Sequence, residues 1–277
     1  MWGAILPAAG SFFEEISSAI GKFEVSKHAE SIYTMVFLNM FWAVVFYAGI
    51  GLWRGTLFLS YASLPTFAVR AVFEVLQIHL GVRAIVQADR STFSFLRTIT
   101  IPLLLVVDLF LGYAFDKMQI IGIALILATF VILFVSRGIS KDGVWLTVLS
   151  SVNAVIPISF FKYDITYYNS VEAEQAFMLA ILLCYFLAAD LLRSRENPFR
   201  FFLKPVFFAQ SAAHGVAIVL HGFAYLFAPA AVIASAGRSS AIFWSVVSGN
   251  RIFKEDHIIL RSVLLVLSVA GVILLAL

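Results

Sequence analysis

Runs of apolar residues, each about as long as a bilayer is thick, recur along this chain with only short polar joints between them. A hydrocarbon core of roughly 30 Å is crossed by about 20 helical residues. Ten segments reach that length: 3–21, 31–53, 64–86, 92–113, 118–136, 144–161, 172–192, 204–227, 229–249 and 258–277. Lipid offers no partner to backbone N–H and C=O groups, so each segment must satisfy its own as a helix. The expected fold class is an all-α membrane protein with ten transmembrane helices. The joints carry turn chemistry, as in Ser136-Arg137-Gly138-Ile139-Ser140-Lys141-Asp142-Gly143 and Arg193-Ser194-Arg195-Glu196-Asn197-Pro198. Segments one and three also carry charges, and a helix of that kind can instead lie in the interface.

Composition agrees with lipid as the main solvent. Of 277 residues, 62% are hydrophobic and 13% charged, against about 25% charged in soluble domains. The net charge of +3 comes without a clustered basic run, so nucleic acid is not an expected partner. The single cysteine, Cys184, sits in an apolar segment and reads as buried, leaving no intramolecular disulfide or thiolate metal cluster. No metal or cofactor is expected. The start, MWGAILPAAG, lacks the basic region of a signal peptide. With no long polar block, the chain reads as one membrane unit.

A shift of 140 positions (143 − 3) aligns the chain with itself. Gly3 meets Gly143, and Lys22-Phe23-Glu24-Val25-Ser26 meets Lys162-Tyr163-Asp164-Ile165-Thr166. Leu64-Pro65-Thr66-Phe67 meets Lys204-Pro205-Val206-Phe207, and Asp116 meets Asp256. Apolar segments match one another easily, so the polar and proline positions carry the alignment. The copies are 1–137 and 141–277, with five spans in each. An odd number of spans sends the second copy into the membrane from the opposite side. That is an inverted repeat, as in many secondary transporters.

This arrangement resembles the drug/metabolite transporter superfamily, in its EamA-like branch, over the full chain. The matching stretches close each half. The first is Ile101-Pro102-Leu103, through Phe110-Leu111-Gly112, to Gln119-Ile120-Ile121-Gly122. The second is Ser240-Ala241-Ile242-Phe243, through Phe253-Lys254-Glu255-Asp256, to the last apolar helix. A glutamate often follows the fourth and ninth helices of that family. Glu255 fits, whereas the first half has Phe115-Asp116. The resemblance implies secondary transport through a central cavity without an ATP site. The absence of a Walker-type glycine-rich loop agrees. By location, Glu14 or Glu15 also resembles the embedded first-helix glutamate that couples protons to substrate in the four-helix small multidrug resistance relatives.

Basic residues in short loops set orientation. Loops after odd-numbered spans hold Lys22, Lys27, Arg90, Arg137, Lys141, Arg193, Arg195, Arg200, Arg251 and Lys254, with Arg83 at a helix end. Loops after even-numbered spans hold Arg54, Lys117 and Lys162. Both termini are therefore expected outside the cytoplasm, although the family is more commonly described with both inside. The expected location is the cell (inner) membrane.

Charges inside spans mark candidate sites, because each costs roughly 2.5–3.5 kcal/mol at a helix centre on insertion scales. Arg70, Glu74, Gln77 and Gly81 form one stripe of the third span. Their repeat partners, Gln210, His214, Ala217 and His221, form a stripe on the eighth. Two polar stripes on equivalent faces suggest a shared cavity lining. Arg70 and Glu74, spaced i, i+4, can also simply neutralise each other, and His214 can serve only as an interhelical hydrogen bonder. Pro7, Ser11, Glu14, Ser18 and Gly21 form a stripe on span one, with Glu15 turned toward a different neighbour. Arg97, Asp108 and Arg238 are further candidates. Phe41, Trp42, Phe46 and Tyr47 read mainly as lipid-facing, with cavity walls or a cation surface as the other reading.

The expected function is secondary active transport of a small metabolite by alternating access, with an amino acid or other zwitterion suited to the mixed charges. The expected binding or coupling residues are Glu14, Arg70, Glu74, His214, Arg238 and Asp108. The expected partners are that small molecule, the lipid bilayer, and a coupling proton or counter-substrate. The alternatives are a non-transporting scaffold and an intramembrane enzyme. An enzyme is disfavoured because no H-E-x-x-H, paired-Asp or nucleophile-elbow motif accompanies His214 and His221.

Overall fold

A computed structural model describes residues 2–114, 116–135 and 142–251, with positions 263, 266, 267, 269–271 and 274 of the last apolar segment. Every regular element among the described residues is helical. The first three are α1 (Trp2–Ser26), α2 (Ile32–Arg54) and α3 (Leu64–Gln87). The fourth apolar segment comprises α4 (Arg90–Leu96) and α5 (Thr100–Phe110), joined by a 3₁₀ turn at Arg97–Ile99. After α6 (Lys117–Val135), the sixth segment divides into α7 (Val144–Asn153) and α8 (Val155–Tyr167). Then come α9 (Val171–Ala189), α10 (Pro205–Ala224) and α11 (Ala230–Arg251). Most of the expected tenth span, the joint at 136–141, Phe115 and the motif at 253–256 lie outside the described residues.

Among the described residues, six stretches are long and apolar enough to cross a membrane: Ile32–Arg54, Thr92–Phe110, Val144–Tyr167, Val171–Ser194, Pro205–Ala224 and Ala230–Gly249. The outer surface is what lipid requires, with Trp53, Phe110 and Leu203 each more than four-fifths exposed. Trp2, Trp53, Tyr61, Trp145 and Tyr167, at or beside helix ends, are exposed in the manner of aromatic residues at a membrane interface. Local chemistry sets the helix limits. Ser31 and Ser170 accept from the amides of Thr34 and Ala173, capping α2 and α9. Gly55 ends α2 at φ 66°, a conformation that costs glycine little. Prolines set the two breaks. Pro102 and Pro157 have no N–H for the carbonyls of Thr98 and Asn153, four residues earlier. The broken stretches hold each other: Thr100 Oγ1 donates to Ser151 O at 3.0 Å, and Ser151 Oγ to Leu96 O at 3.3 Å.

α1 runs along α10 and α11, α10 along α2, and α2 along α9. α3 packs on α7 and α8 and only lightly on α9. Glycine explains the tight α2–α10 seam. A Cβ on Gly215 would stand 2.8 Å from Trp42 Cβ and 3.0 Å from the Ala43 amide, and one on Gly222 would overlap the Tyr47 hydroxyl. Two expectations change here. Tyr47 is fully buried, donating to Ile218 O at 2.9 Å, because a tyrosine inside a bundle needs a partner for its hydroxyl. Cys184 is exposed on α9, since an apolar residue in a span can face lipid as readily as the core.

Candidate functional site

Where α1, α3, α8, α10 and α11 meet, a cavity of about 240 Å³ opens. Its polar lining is Glu14 from α1, Arg70 and Glu74 from α3, Arg97 from the 3₁₀ turn, Gln175 from α9, His214 and His221 from α10, and Arg238 from α11. Pro157, Phe161, Ile233 and Tyr225 supply apolar wall. A second cavity of about 170 Å³ shares Glu14, Arg97, His214 and Ile218 with the first, and adds Ser18, Asn39, Gln77 and Ser150. Together they make two lobes about one polar waist.

Three ion-pair systems involve Arg70 or the neighbouring glutamates Glu14 and Glu15. Arg70 Nη1 donates to Glu174 at 2.7 Å, and the two side chains are 2% and 0% exposed. Arg70 also reaches Gln175 at 3.0 Å and Glu74 at 3.3 Å, and lies 4.6 Å over the Phe161 ring. Glu174 accepts in addition from Asn169 at 2.6 Å. At the waist, Arg97 Nη1 donates to Glu14 at 3.0 Å. His221 Nε2 stands 3.5 Å from the other Glu14 oxygen and makes no hydrogen bond. The third system lies apart from the cavity: Arg90 grips Glu15 at 2.6 and 3.1 Å, with Ser248 donating to the same carboxylate. Neighbouring glutamates on α1 thus serve different partners, one at the cavity and one in a closed seam.

Arg238 has no close partner. It makes no hydrogen bond or ion pair with any described residue, and its Nε is buried. His214 Nδ1 is likewise buried without a partner. Unpaired buried polar atoms are costly, and here three of them (Arg238 Nε, His214 Nδ1 and His221 Nε2) belong to residues that line one cavity.

Five of the six expected site residues, Glu14, Arg70, Glu74, His214 and Arg238, line this cavity. Asp108 does not. It is 1% exposed and accepts from the amides of Ala230 and Ala231 at 3.4 and 2.7 Å, which caps the start of α11. Gln210, on the expected stripe, turns instead to Glu30 and Asn39 at 3.2 and 3.4 Å. Glu174 and Gln175 escaped the sequence reading. Glu174 sits in the first turn of α9, where acids favour a helix N-terminus, so nothing in the sequence pointed to Arg70 across 104 residues.

Outside the spans, Glu30 sits in the α1–α2 turn, 3% exposed. Burial pushes its carboxyl up to about 8, with Glu24, Glu196 and Asp190 adding to the rise and the Gln210 hydrogen bond opposing it. Among the described residues, no group of three histidine, cysteine or acidic side chains is placed to hold a metal. No protein-family model matches the chain, and no curated protein sequence matches it.

Proposed function

We propose that this protein is a secondary transporter that carries a small polar metabolite across the cell membrane by alternating access. In this reading two inverted five-helix repeats, 1–137 and 141–277, enclose the cavity, as in the drug/metabolite transporter superfamily that the sequence resembles. One observation carries the proposal. A chain whose outside suits lipid keeps a highly charged cavity among its apolar helices. Intramembrane ionisable groups facing a cavity mark substrate and ion pathways. The volume, about 240 Å³, lies below the roughly 300–1,000 Å³ of pockets for drug-sized ligands, which favours a small metabolite.

Helix packing supports the repeat. Exchanging spans one and eight for their partners, six and three, turns the α1–α10 contact into the contact of α7 and α8 with α3, and both are extensive. The second exchange is unequal. α2 lies close on α10, while α3 only lightly touches α9. Two halves in unlike states are what alternating access needs, since reversing the inequality moves the opening to the other face.

Flux tests the proposal. The purified full chain in proteoliposomes should accumulate at least one solute from a mixed small-metabolite panel under an imposed pH or counter-substrate gradient. Leak-level flux for the whole panel, with the protein folded and inserted, would overturn it.

A further inference from the structure

We propose that the cavity is a dipolar binding site for a zwitterion, with Arg238 taking the carboxylate and Glu74 the ammonium group. This rests on the cavity being the ligand site, and goes further by assigning ligand chemistry and roles to individual residues. The three lining arginines differ in what they have left to offer. Arg70 is saturated, holding Glu174 at 2.7 Å, Gln175 at 3.0 Å and Glu74 at 3.3 Å, at 2% exposure. Arg97 is engaged by Glu14 at 3.0 Å. Arg238 makes no hydrogen bond or close ion pair with any described residue, and Glu14, already held by Arg97, acts on it only through space.

The carboxylates divide in the same way. Glu174 is fully buried and also binds Asn169, so its charge is spent on structure. Glu14 lies between Arg97 and His221. Glu74 has only the longer share of an arginine already held more closely by Glu174, and its side chain is as open as that of Glu14, at 22% against 23%. With the two closest pairs set aside, Arg238 on α11 is left without a close anion and Glu74 on α3 with only its longer contact to Arg70. They line the same cavity from different helices. A lone cation ligand would leave Arg238 unpaired, and a lone anion would leave Glu74 with its longer share of Arg70. A small molecule bearing both charges satisfies both ends. His221 stands beside the Arg238 end, held in place by close packing. A Cβ on Gly10 would come within 2.7 Å of its ring, and one on Gly237 within 3.2 Å.

The test uses the purified full chain and three matched probe sets: the twenty common amino acids, their decarboxylated amines, and their N-acetyl derivatives. Binding is read by thermal shift and tryptophan fluorescence. At least one amino acid should bind, with its amine and N-acetyl analogues each weaker by about ten-fold or more, the loss expected when a charged hydrogen bond is removed. Arg238→Gln should weaken the amino acid by a similar factor and leave the amine unchanged. Arg238→Lys should recover part of the loss. Glu74→Gln should weaken the amino acid and spare the N-acetyl analogue. The wild-type analogue series decides the matter even where a variant fails to fold. Binding of no amino acid, equal affinity for amine and amino acid, or an unaltered affinity in Arg238→Gln would each overturn the assignment. If proteoliposomes carry a solute of another charge type, the zwitterion assignment fails while transport stands. Leak-level flux for every solute alongside charge-specific amino-acid binding means that transport fails and the site assignment holds.

Discussion

At the level of single residues, the same side-chain type does different work according to how its charge is met. Glu174 and Glu74 both contact Arg70, yet one is sealed and the other faces the cavity. Removing one partner of a buried ion pair typically costs 3–5 kcal/mol. Glu174→Gln should therefore lower thermal stability in detergent far more than Glu74→Gln, which should fold yet lose substrate accumulation or its pH dependence. Equal stability of the two variants would contradict the division. Glu30 gives a pH signature. Its carboxyl is raised in the folded protein to about 8 from the ordinary 4.5, so the folded state holds a proton that the unfolded state releases. The associated stability is complete below about 4.5 and is lost as pH rises through about 8. Glu30→Gln should flatten melting temperature against pH across that window and raise it at the alkaline end; an unchanged profile would refute this. Helical periodicity made Arg70, Glu74 and His214 legible as cavity residues, because stripes follow from spacing alone. Glu174 was hidden because a long-range partner leaves no local pattern. Asp108 misled because a buried acid that caps a helix looks, in sequence, like one that binds a ligand.

At the level of helices, glycine placement separates two seams that the repeat would make equivalent. Gly215 and Gly222 let α10 lie on α2. Subtracting 140 gives Val75 and Val82 at the corresponding positions of α3, whose contact with α9 is light. The unequal packing is thus written partly in side-chain size. Gly215→Ala forces a methyl against the Ala43 backbone, 3.0 Å away, and should destabilise by about 1–3 kcal/mol. Gly49→Ala in α2 meets nothing within 4 Å and should stabilise by about 0.5–1 kcal/mol through helix propensity. Thermal melts of the pair check both signs, and a destabilised Gly49→Ala or a neutral Gly215→Ala would count against this packing. The proline breaks were legible as apolar segments but not as breaks, since a proline within a span leaves its length and apolarity unchanged.

At the level of the whole molecule, apolar spacing made the helical class readable, because bilayer thickness leaves few alternatives. The cavity was less readable, since it depends on which helices meet. The charge bias predicts that both termini lie outside the cytoplasm. Single cysteines at positions 194 and 55, in a Cys184→Ala background, should label from the cytoplasm and from outside respectively, and labelling of position 194 from outside in intact cells would reverse the assignment. The proposed transport cycle exposes one cavity in turn to both faces. Ile218 borders both lobes, so Ile218→Cys in the same background reports on it directly with a membrane-impermeant maleimide. Labelling is expected from either side of oriented vesicles, with a transported solute changing the two rates in opposite directions. Labelling from one face only, under every gradient and solute, would contradict it.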